Sequence, residues 1–571
     1  MALLALRKIL FCKGILMTEE YINIIVNNEV MSIVPKTTVG EALHADKNPE
    51  IIGGLISNDV VGLNTTLSVP VNLYPVFRNS REGRQIFNRT CSLLLDYILA
   101  VHFKNYRFQV GQAFNQGCYY ELVDVEEGTA EDIDFIKLAE EIDKAVGEAI
   151  ISNLKFTTKV HNVETACVLL NDRSGSMIRL LETWPYSQVP IASLNHFHVI
   201  QYGPIAPSTS YCRGIRISAY EKGIFLQFNS KQAAPPVPNS NMRLFSAYRE
   251  NRNWNKMIGV ATVGDLNEAI LSGRINDIIR LQEGLHEKKI IQIADQIAER
   301  KNKLRLICIA GPSSSGKTTF LKRLSVQLKV AGLDPVTISL DDYYRNIEDR
   351  PMDEHGNIDY EALECLDIPL LTEHLQTLAD GGKVMAPRYD FEAGKRAPES
   401  KSIPLQLNDN QILLIEGIHG LNPAIADAVP TSARFRIFVS ALTQLIIDEH
   451  TRIPTSDARL LRRIVRDRRY RGTSAADTID RWPSVRRGEQ RNIFPFQENC
   501  DVMFNSALVY ETAVLKTFAW RYLLEVPRNS PARVRAQPLL RFLDLFVPIF
   551  PDDIPSNSLL REFIGGSNFA Y

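Results

Sequence analysis

Between Gly311 and Thr318 the chain reads GPSSSGKT, the spacing G-x-x-x-x-G-K-[ST]. Glycines let the main chain wrap closely, so backbone N–H groups can point at phosphate oxygens. A helix N-terminus behind such a loop adds partial positive charge. Lys317 can reach the β- and γ-phosphates of ATP, and the Thr318 hydroxyl can face Mg²⁺. Gly311, Ser313, Ser314, Ser315, Gly316, Lys317, Thr318 and Thr319 are therefore the candidate nucleotide-binding set. A chance Gly/Ser-rich turn would lack the strand before it and the helix after it.

Three further features carry chemistry. Val336–Leu340 reads as a strand and runs into Asp341-Asp342-Tyr343-Tyr344. Carboxylates at the C-terminal edge of a parallel sheet lie where ligands bind, and one of them can accept a proton from a hydroxyl. The alternative is a helix-capping or turn Asp. Gln411–Ile415 is a second buried-strand pattern, ending in Glu416-Gly417. A carboxylate there can hold Mg²⁺ through water, or be a satisfied loop acid. Asp457–Gly472 (DARLLRRIVRDRRYRG) crowds seven arginines onto a helix and its end. It reads as a solvated face, a nucleic-acid patch, or a lid whose guanidinium forks stabilise a transferring phosphoryl group. No N-K-x-D guanine signature and no L-S-G-G-Q transporter signature occurs, which favours a small-molecule kinase over a GTPase or motor.

The positioning elements follow from the pattern. Leu304–Ala310 is an apolar run of strand length, and Leu321, Leu324 and Leu328 mark a helix that stops at Gly332. From Leu304 onward strands alternate with helices, which predicts a parallel α/β sheet. Tyr21–Val26 and Val30–Val34 flank Asn27-Asn28, a hairpin signature. Helical spacing recurs over Val39–His44, Cys91–Phe103, Glu131–Leu154 and Val263–Arg300. Ala233–Asn241 is Pro-rich and predicts a loop. His196 and His198, two apart, would share one face of a strand. With no clear third ligand they read as structural rather than metal-binding.

The chain has 571 residues, 45% hydrophobic and 23% charged, with 65 basic against 66 acidic side chains. Collagen-like and wholly disordered readings are out. No basic excess argues for nucleic-acid binding by charge alone. The 8 cysteines form no C-x-x-C pair, which fits a reducing, cytoplasmic setting. No apolar run is long enough to span a bilayer. Residues 1–16 are apolar but interrupted by Arg7, Lys8 and Lys13, unlike a signal peptide. They read as an upstream extension, with Met17 an alternative start.

As a set, Ile307–Thr319, Ser339–Tyr344 (SLDDYY), Pro387–Phe391 (PRYDF), Leu414–Gly417 (LIEG) and Asp457–Gly472 resemble the uridine kinase and phosphoribulokinase family. The resemblance spans about Leu304–Leu524. It implies a P-loop parallel sheet with helices on both faces, and ATP- and Mg²⁺-dependent phosphorylation of a sugar hydroxyl, on nucleosides the 5′-hydroxyl. Asp341 matches the family's catalytic Asp and Glu416 its metal-associated Glu. Thr318, Glu416 and Asp341 are thus the implied metal set. Lys317 and the lid arginines Arg463, Arg466 and Arg471 join Asp341 in catalysis. Tyr344, Tyr389 and Phe391 fall in acceptor-side motifs, and Glu361 aligns with the ribose-contacting Asp. The departures are Gly394 where uridine kinases carry a base-contacting His, Thr473 for an Arg, and Arg481 for a base-reading Gln. A site that loses partners for one base should not keep its selectivity.

The front half resembles other families. Tyr21–Phe77 is similar to a TGS domain, a ubiquitin-like β-grasp module. Phe87–Gln232, most closely at Gly111–Tyr120, is similar to the α+β second domain of threonyl-tRNA synthetases, which edits mischarged tRNA. That editing site uses H-x-x-x-H and C-x-x-x-H pairs, which align here with Arg89 and Leu93, and with Gln201 and Ile205. All four functional positions are lost, so editing chemistry is not expected. The resulting expectation is a multidomain α/β chain: extension 1–16, β-grasp 17–80, editing-like domain 85–250, helical linker 251–300, kinase 301–528 and C-terminal extension 529–571.

The leading reading is a nucleoside-type kinase with a silent front module, forming a homo-oligomer or sensing an effector. Two alternatives stay open. One is a sugar-phosphate kinase, for which Lys395, Arg396 and Arg481 are candidate basic-pocket residues. The other is an RNA-associated ATP switch whose front module contacts RNA. No membrane partner is expected.

Overall fold

The computed structural model describes residues 21–114, 116–125, 133–171, 175–229, 242–354, 356–390 and 393–570. The expected extension 1–16 and the loop 233–241 lie outside them. The described residues form two compact units, one from within 1–174, 186–236 and 527–538, the other from 175–185, 237–526 and 539–571.

In the first unit, Ile22–Val26 and Glu29–Ile33 form the expected hairpin. Its two-residue turn puts Asn27 and Asn28 at φ 49° and 71°, a region Asn tolerates and the twist of a hairpin favours. The five-stranded sheet has the order 29–33, 22–26, 72–77, 51–56, 59–62. Ile22–Val26 runs parallel to Asn72–Phe77, and the other pairs are antiparallel. A four-stranded antiparallel sheet (106–114, 117–125, 223–227, 216–220) and a three-stranded one (157–162, 188–194, 197–200) follow. The two longest helices are Arg81–His102 and Phe135–Ile151, the second capped by Asp134, whose carboxylate accepts from the Ile136 and Lys137 amides.

One expectation is corrected here. His196 does not share a strand face with His198: it is exposed in the turn before Phe197–Ile200, next to Asn195 at φ 53°. His198 lies on that strand, 2.7 Å from the Ser193 hydroxyl. Asn195-His196 closes a hairpin, and turn geometry overrides the period of two.

The second unit is built on a five-stranded, wholly parallel sheet in the order 334–339, 411–416, 306–310, 434–440, 502–505. Leu306–Ala310 at its centre is buried along its whole length, as a strand covered on both faces must be. One face packs Leu371, Leu375 and Leu378 of helix Ile368–Ala379. The other packs Phe320, Leu324 and Leu328 of helix Lys317–Val330 and Ile290, Ile293 and Ile297 of helix Ile275–Glu299. The helical stretch expected over Val263–Arg300 is two helices, Val263–Leu271 and Ile275–Glu299, broken at Gly273 (φ +78°). Among the described residues no helix is long and apolar enough to cross a membrane.

Candidate active site

The sheet brings the separated motifs to one edge. Gly311–Gly316 leaves the end of the central strand and opens helix Lys317–Val330. A Cβ on Gly311 would lie 2.0 Å from the Val439 carbonyl, so only glycine fits that approach. Gly316 adopts φ +85°, the left-handed conformation that turns loop into helix. The Ser314 and Ser315 hydroxyls are buried with no hydrogen-bond partner. Orphaned hydroxyls beside a glycine-lined helix N-terminus fit the oxygen-rich phosphates of ATP.

Register places the carboxylates. Glu416 pairs with Ile309 on one neighbour and Ser339 on the other, so its strand end abuts both the loop and the Asp341 turn. Its Oε1 is 3.8 Å from Lys317 Nζ. Burial pushes the Glu416 carboxyl up to about 7, against the pull of Lys317 and with the push of Asp341 and Glu562. Asp341 follows Ser339, whose hydroxyl accepts from the Asp341 amide in the 3₁₀ turn Leu340–Tyr343. Asp341 is exposed to solvent as a residue. Enough protein still surrounds the carboxyl that desolvation raises it above the usual range, opposed by Lys317 and Arg471. Asp342 is turned to structural use: its carboxylate accepts from Arg388 Nη1 at 2.8 Å and from the Tyr389 amide at 3.2 Å. Of the two acids, Asp341 is the one left exposed.

The residues expected on the acceptor side are aromatic and acidic. Tyr344 and Tyr389 stand edge to face with centroids 5.8 Å apart. Glu361 is buried, and its Oε2 has no hydrogen-bond partner. Burial first and Glu489 second raise its carboxyl to about 7, with Arg463 and Lys317 pulling down. Phe391 lies outside the described residues. Gly394, at φ +67°, has Ile347 Cδ1 2.2 Å from where a Cβ would stand, so Ile347 fills the space a side chain there would need.

The arginines occupy helix Thr455–Tyr470 and its C-terminal edge. Arg463 Nη1 donates to the Ser313 hydroxyl at 2.8 Å. Arg466 and Arg471 pair with Asp467 at 2.9 and 3.7 Å, and Arg463 pairs with the same carboxylate at 3.2 Å. One buried Asp thus gathers the three lid arginines. Repulsion from Arg466, then burial, lowers the Arg471 guanidinium's affinity for its proton.

Several contributors escaped the sequence reading. Glu489, fully buried on helix Ala475–Asn492, accepts from the Ser313 amide at 3.2 Å and pairs with Arg459 and Arg486. Arg459 Nε donates to the Ser313 carbonyl at 2.9 Å. Arg462 reaches the Ser314 carbonyl and pairs with Glu511. Arg350 is buried beneath three tyrosine rings, 4.6 Å from Tyr344, 5.0 Å from Tyr389 and 5.6 Å from Tyr360. The Arg486–Glu489 helical spacing was the sole local hint of the clamp. Of the positions aligned with the editing motif, Arg89 Nη1 donates to the Pro204 carbonyl at 2.6 Å, and Leu93 and Ile205 are buried.

Comparison with known proteins bears on this unit. The family model described as phosphoribulokinase / uridine kinase family matches residues 306–513. A uridine kinase of Ligilactobacillus salivarius is 30% identical over 190 residues, 33% of this chain and 78% of that protein. One from Brevibacillus brevis is 31% identical over 181 residues, 32% of this chain and 74% of that protein. Among solved structures, a possible uridine kinase from Bacillus stearothermophilus aligns at TM-score 0.27 and 20% identity, covering 38% of this chain and 98% of that one. A D-glycerate 3-kinase from Cryptococcus neoformans aligns at TM-score 0.22 and 16% identity, covering 47% and 89%.

Proposed function

This chain belongs to the phosphoribulokinase / uridine kinase family, and from that premise we propose that it transfers the γ-phosphoryl group of ATP to a sugar hydroxyl, first of all the 5′-hydroxyl of a nucleoside. The observation that carries the reading is the selection of Asp341 over Asp342 beside Lys317 and Glu416.

Asp341 takes the proton of the acceptor hydroxyl as its oxygen forms the new bond to the γ-phosphorus. The bridging P–O bond breaks, and ADP leaves with those electrons. Lys317 and the loop amides hold the phosphate oxygens, while Arg463, Arg466 and Arg471 balance charge on the moving group. Thr318, Glu416 and Asp341 would hold Mg²⁺, which neutralises phosphate charge when bound. Glu361 accepts from a ribose hydroxyl, and Tyr344 and Tyr389 flank the acceptor. Closure over the site excludes water and suppresses hydrolysis.

A second acceptor class, a sugar phosphate, is favoured by Arg350. Its partners are the Arg345 carbonyl, the Tyr389 hydroxyl and three rings, with no carboxylate in ion-pair reach among the described residues. Lys395 and Arg396, by contrast, pair with Glu348 and Asp367, and Arg481 is exposed. The front sheet's order, with its parallel central pair between antiparallel neighbours, supports reading residues 17–80 as a β-grasp module.

The test is ADP release from Mg-ATP across ribonucleosides, deoxynucleosides and pentose phosphates, with wild type beside Asp341→Asn. Stimulation by one acceptor, lost in the variant, is expected. Steady hydrolysis indifferent to every acceptor would sink the kinase reading.

A further inference from the structure

Residues 551–566 return to the nucleotide loop. Arg561 ties this segment to itself, donating to the carbonyls of Pro551 at 2.9 Å, Pro555 at 3.3 Å and Gly565 at 3.1 Å. Leu559 is fully buried in the cluster that holds Ile309, Phe320 and Leu324. Its Cδ2 stands 2.4 Å from where a Cβ on Gly316 would be, so the segment lies directly against the loop-to-helix turn. Phe563 lies under the Arg462 guanidinium at 5.1 Å.

This packing delivers Glu562 to the helix that begins at Lys317. Its Oε2 accepts from the Thr319 amide at 3.2 Å and from the Thr319 hydroxyl at 2.7 Å. Thr319 is the third residue of that helix, so its N–H is one of the donors no helical carbonyl can satisfy. Such donors, with the helix dipole behind them, are what a phosphate loop offers its ligand. An internal carboxylate therefore holds a donor that a nucleotide phosphate needs. The two anions compete for one N–H and repel each other. Glu562 also stands close enough to push the Glu416 carboxyl upward. Asp341 and Glu562 both push on Glu416, opposed by Lys317 and Lys322, so an incoming polyphosphate meets these carboxylates as well as the cations of the loop.

We propose that Glu562 is an internal ligand of the nucleotide loop, which MgATP must displace from Thr319, so that the C-terminal segment sets nucleotide affinity. This rests on reading Gly311–Thr319 as the nucleotide loop. Binding costs the Glu562 contact, and the displaced segment loosens.

Equilibrium binding of MgADP to the full chain, measured by calorimetry, tests it on wild type, Glu562→Gln and Glu562→Ala. Removing the competing charge should tighten binding, at least fivefold for Glu562→Ala and less for Glu562→Gln, which can still accept from the amide. A merely structural contact would act in the opposite sense, loosening the loop and weakening the nucleotide. Unchanged or weaker binding in both folded variants overturns the proposal and leaves the nucleotide loop standing. No nucleotide binding by any of the three proteins overturns the loop reading and the proposal with it. Hydrogen exchange on the wild type needs no variant: MgADP should protect amides 313–319 while raising exchange over 559–566. Protection of both segments would overturn displacement.

Discussion

The two walls of the proposed site are held in opposite ways. On the nucleotide side, Ser313 alone is gripped at its N–H by Glu489, at its carbonyl by Arg459 and at its hydroxyl by Arg463. On the proposed acceptor side, Glu361 Oε2 has no hydrogen-bond partner and, among the described residues, Arg350 has no carboxylate in reach. A loop that must present many donors at fixed spacing to one polyanion gains from being preorganised. A wall that must choose among acceptors keeps buried groups open, because an acceptor that fails to satisfy them leaves them unpaired. On the proposed reading, the difference assigns rate to the first wall and selectivity to the second.

The largest expected effect breaks the shared centre. Asp341→Asn should lower turnover by about 10²–10⁴-fold, the usual worth of a positioned general base, with ATP binding retained. Full phosphotransfer by that folded variant, read as acceptor-dependent ADP release, would remove Asp341 from the mechanism.

Next comes the clamp. Glu489→Ala leaves Arg459 buried without its counter-ion and should cost about 3–5 kcal/mol. The kinase unit's unfolding midpoint in urea reads this directly. Replacing Arg459 and Glu489 together by apolar residues should restore much of the loss. A single variant as stable as wild type would show the loop is not held this way.

Glu361→Gln sharpens the selective wall. Losing a charged acceptor should raise acceptor KM roughly tenfold, in line with ~1.5 kcal/mol for a charge-assisted bond, and leave ATP KM nearly unchanged. Its pH signature has a definite sign. With the folded carboxyl at about 7, wild-type acceptor KM should fall as pH rises through that value and be flat in the variant. Stability runs the other way. A folded value above the unfolded one stabilises fully below the ordinary carboxylate range and is lost as pH climbs through about 7. The ligand-free variant should therefore lose less stability than wild type across that window.

The smallest effect is expected at the surface. Lys395→Ala breaks an exposed 3.7 Å pair with Glu348 and should change stability by under about 0.5 kcal/mol. Arg350→Gln, its buried counterpart, should raise KM selectively for phosphorylated sugars if those are the acceptors. Equal KM effects from both variants would erase the distinction between the buried and exposed cations.

What could be read along the chain was what neighbouring residues dictate. The phosphate loop, its strand and helix, the Asn-Asn hairpin and the arginine helix follow from glycine conformations, apolar spacing and turn chemistry within a few residues. The strand ends before Asp341 and at Glu416, and the helix carrying Arg463 and Arg466, also fall where apolar spacing put them. Even locally the reading failed where a turn outranked periodicity, at His196, and where Gly273 broke one helix into two.

Tertiary structure decided the rest. Register across the parallel sheet put Glu416 beside Ser339, and Arg388 withdrew Asp342 from a pair of acids that looks equivalent in sequence. Glu489 reaches Ser313 across 176 residues and Glu562 reaches Thr319 across 243. No local spacing encodes such pairings. They exist because packing the helices and the returning C-terminal segment onto one sheet leaves buried charges and helix-end amides that must be satisfied by whatever the fold brings near.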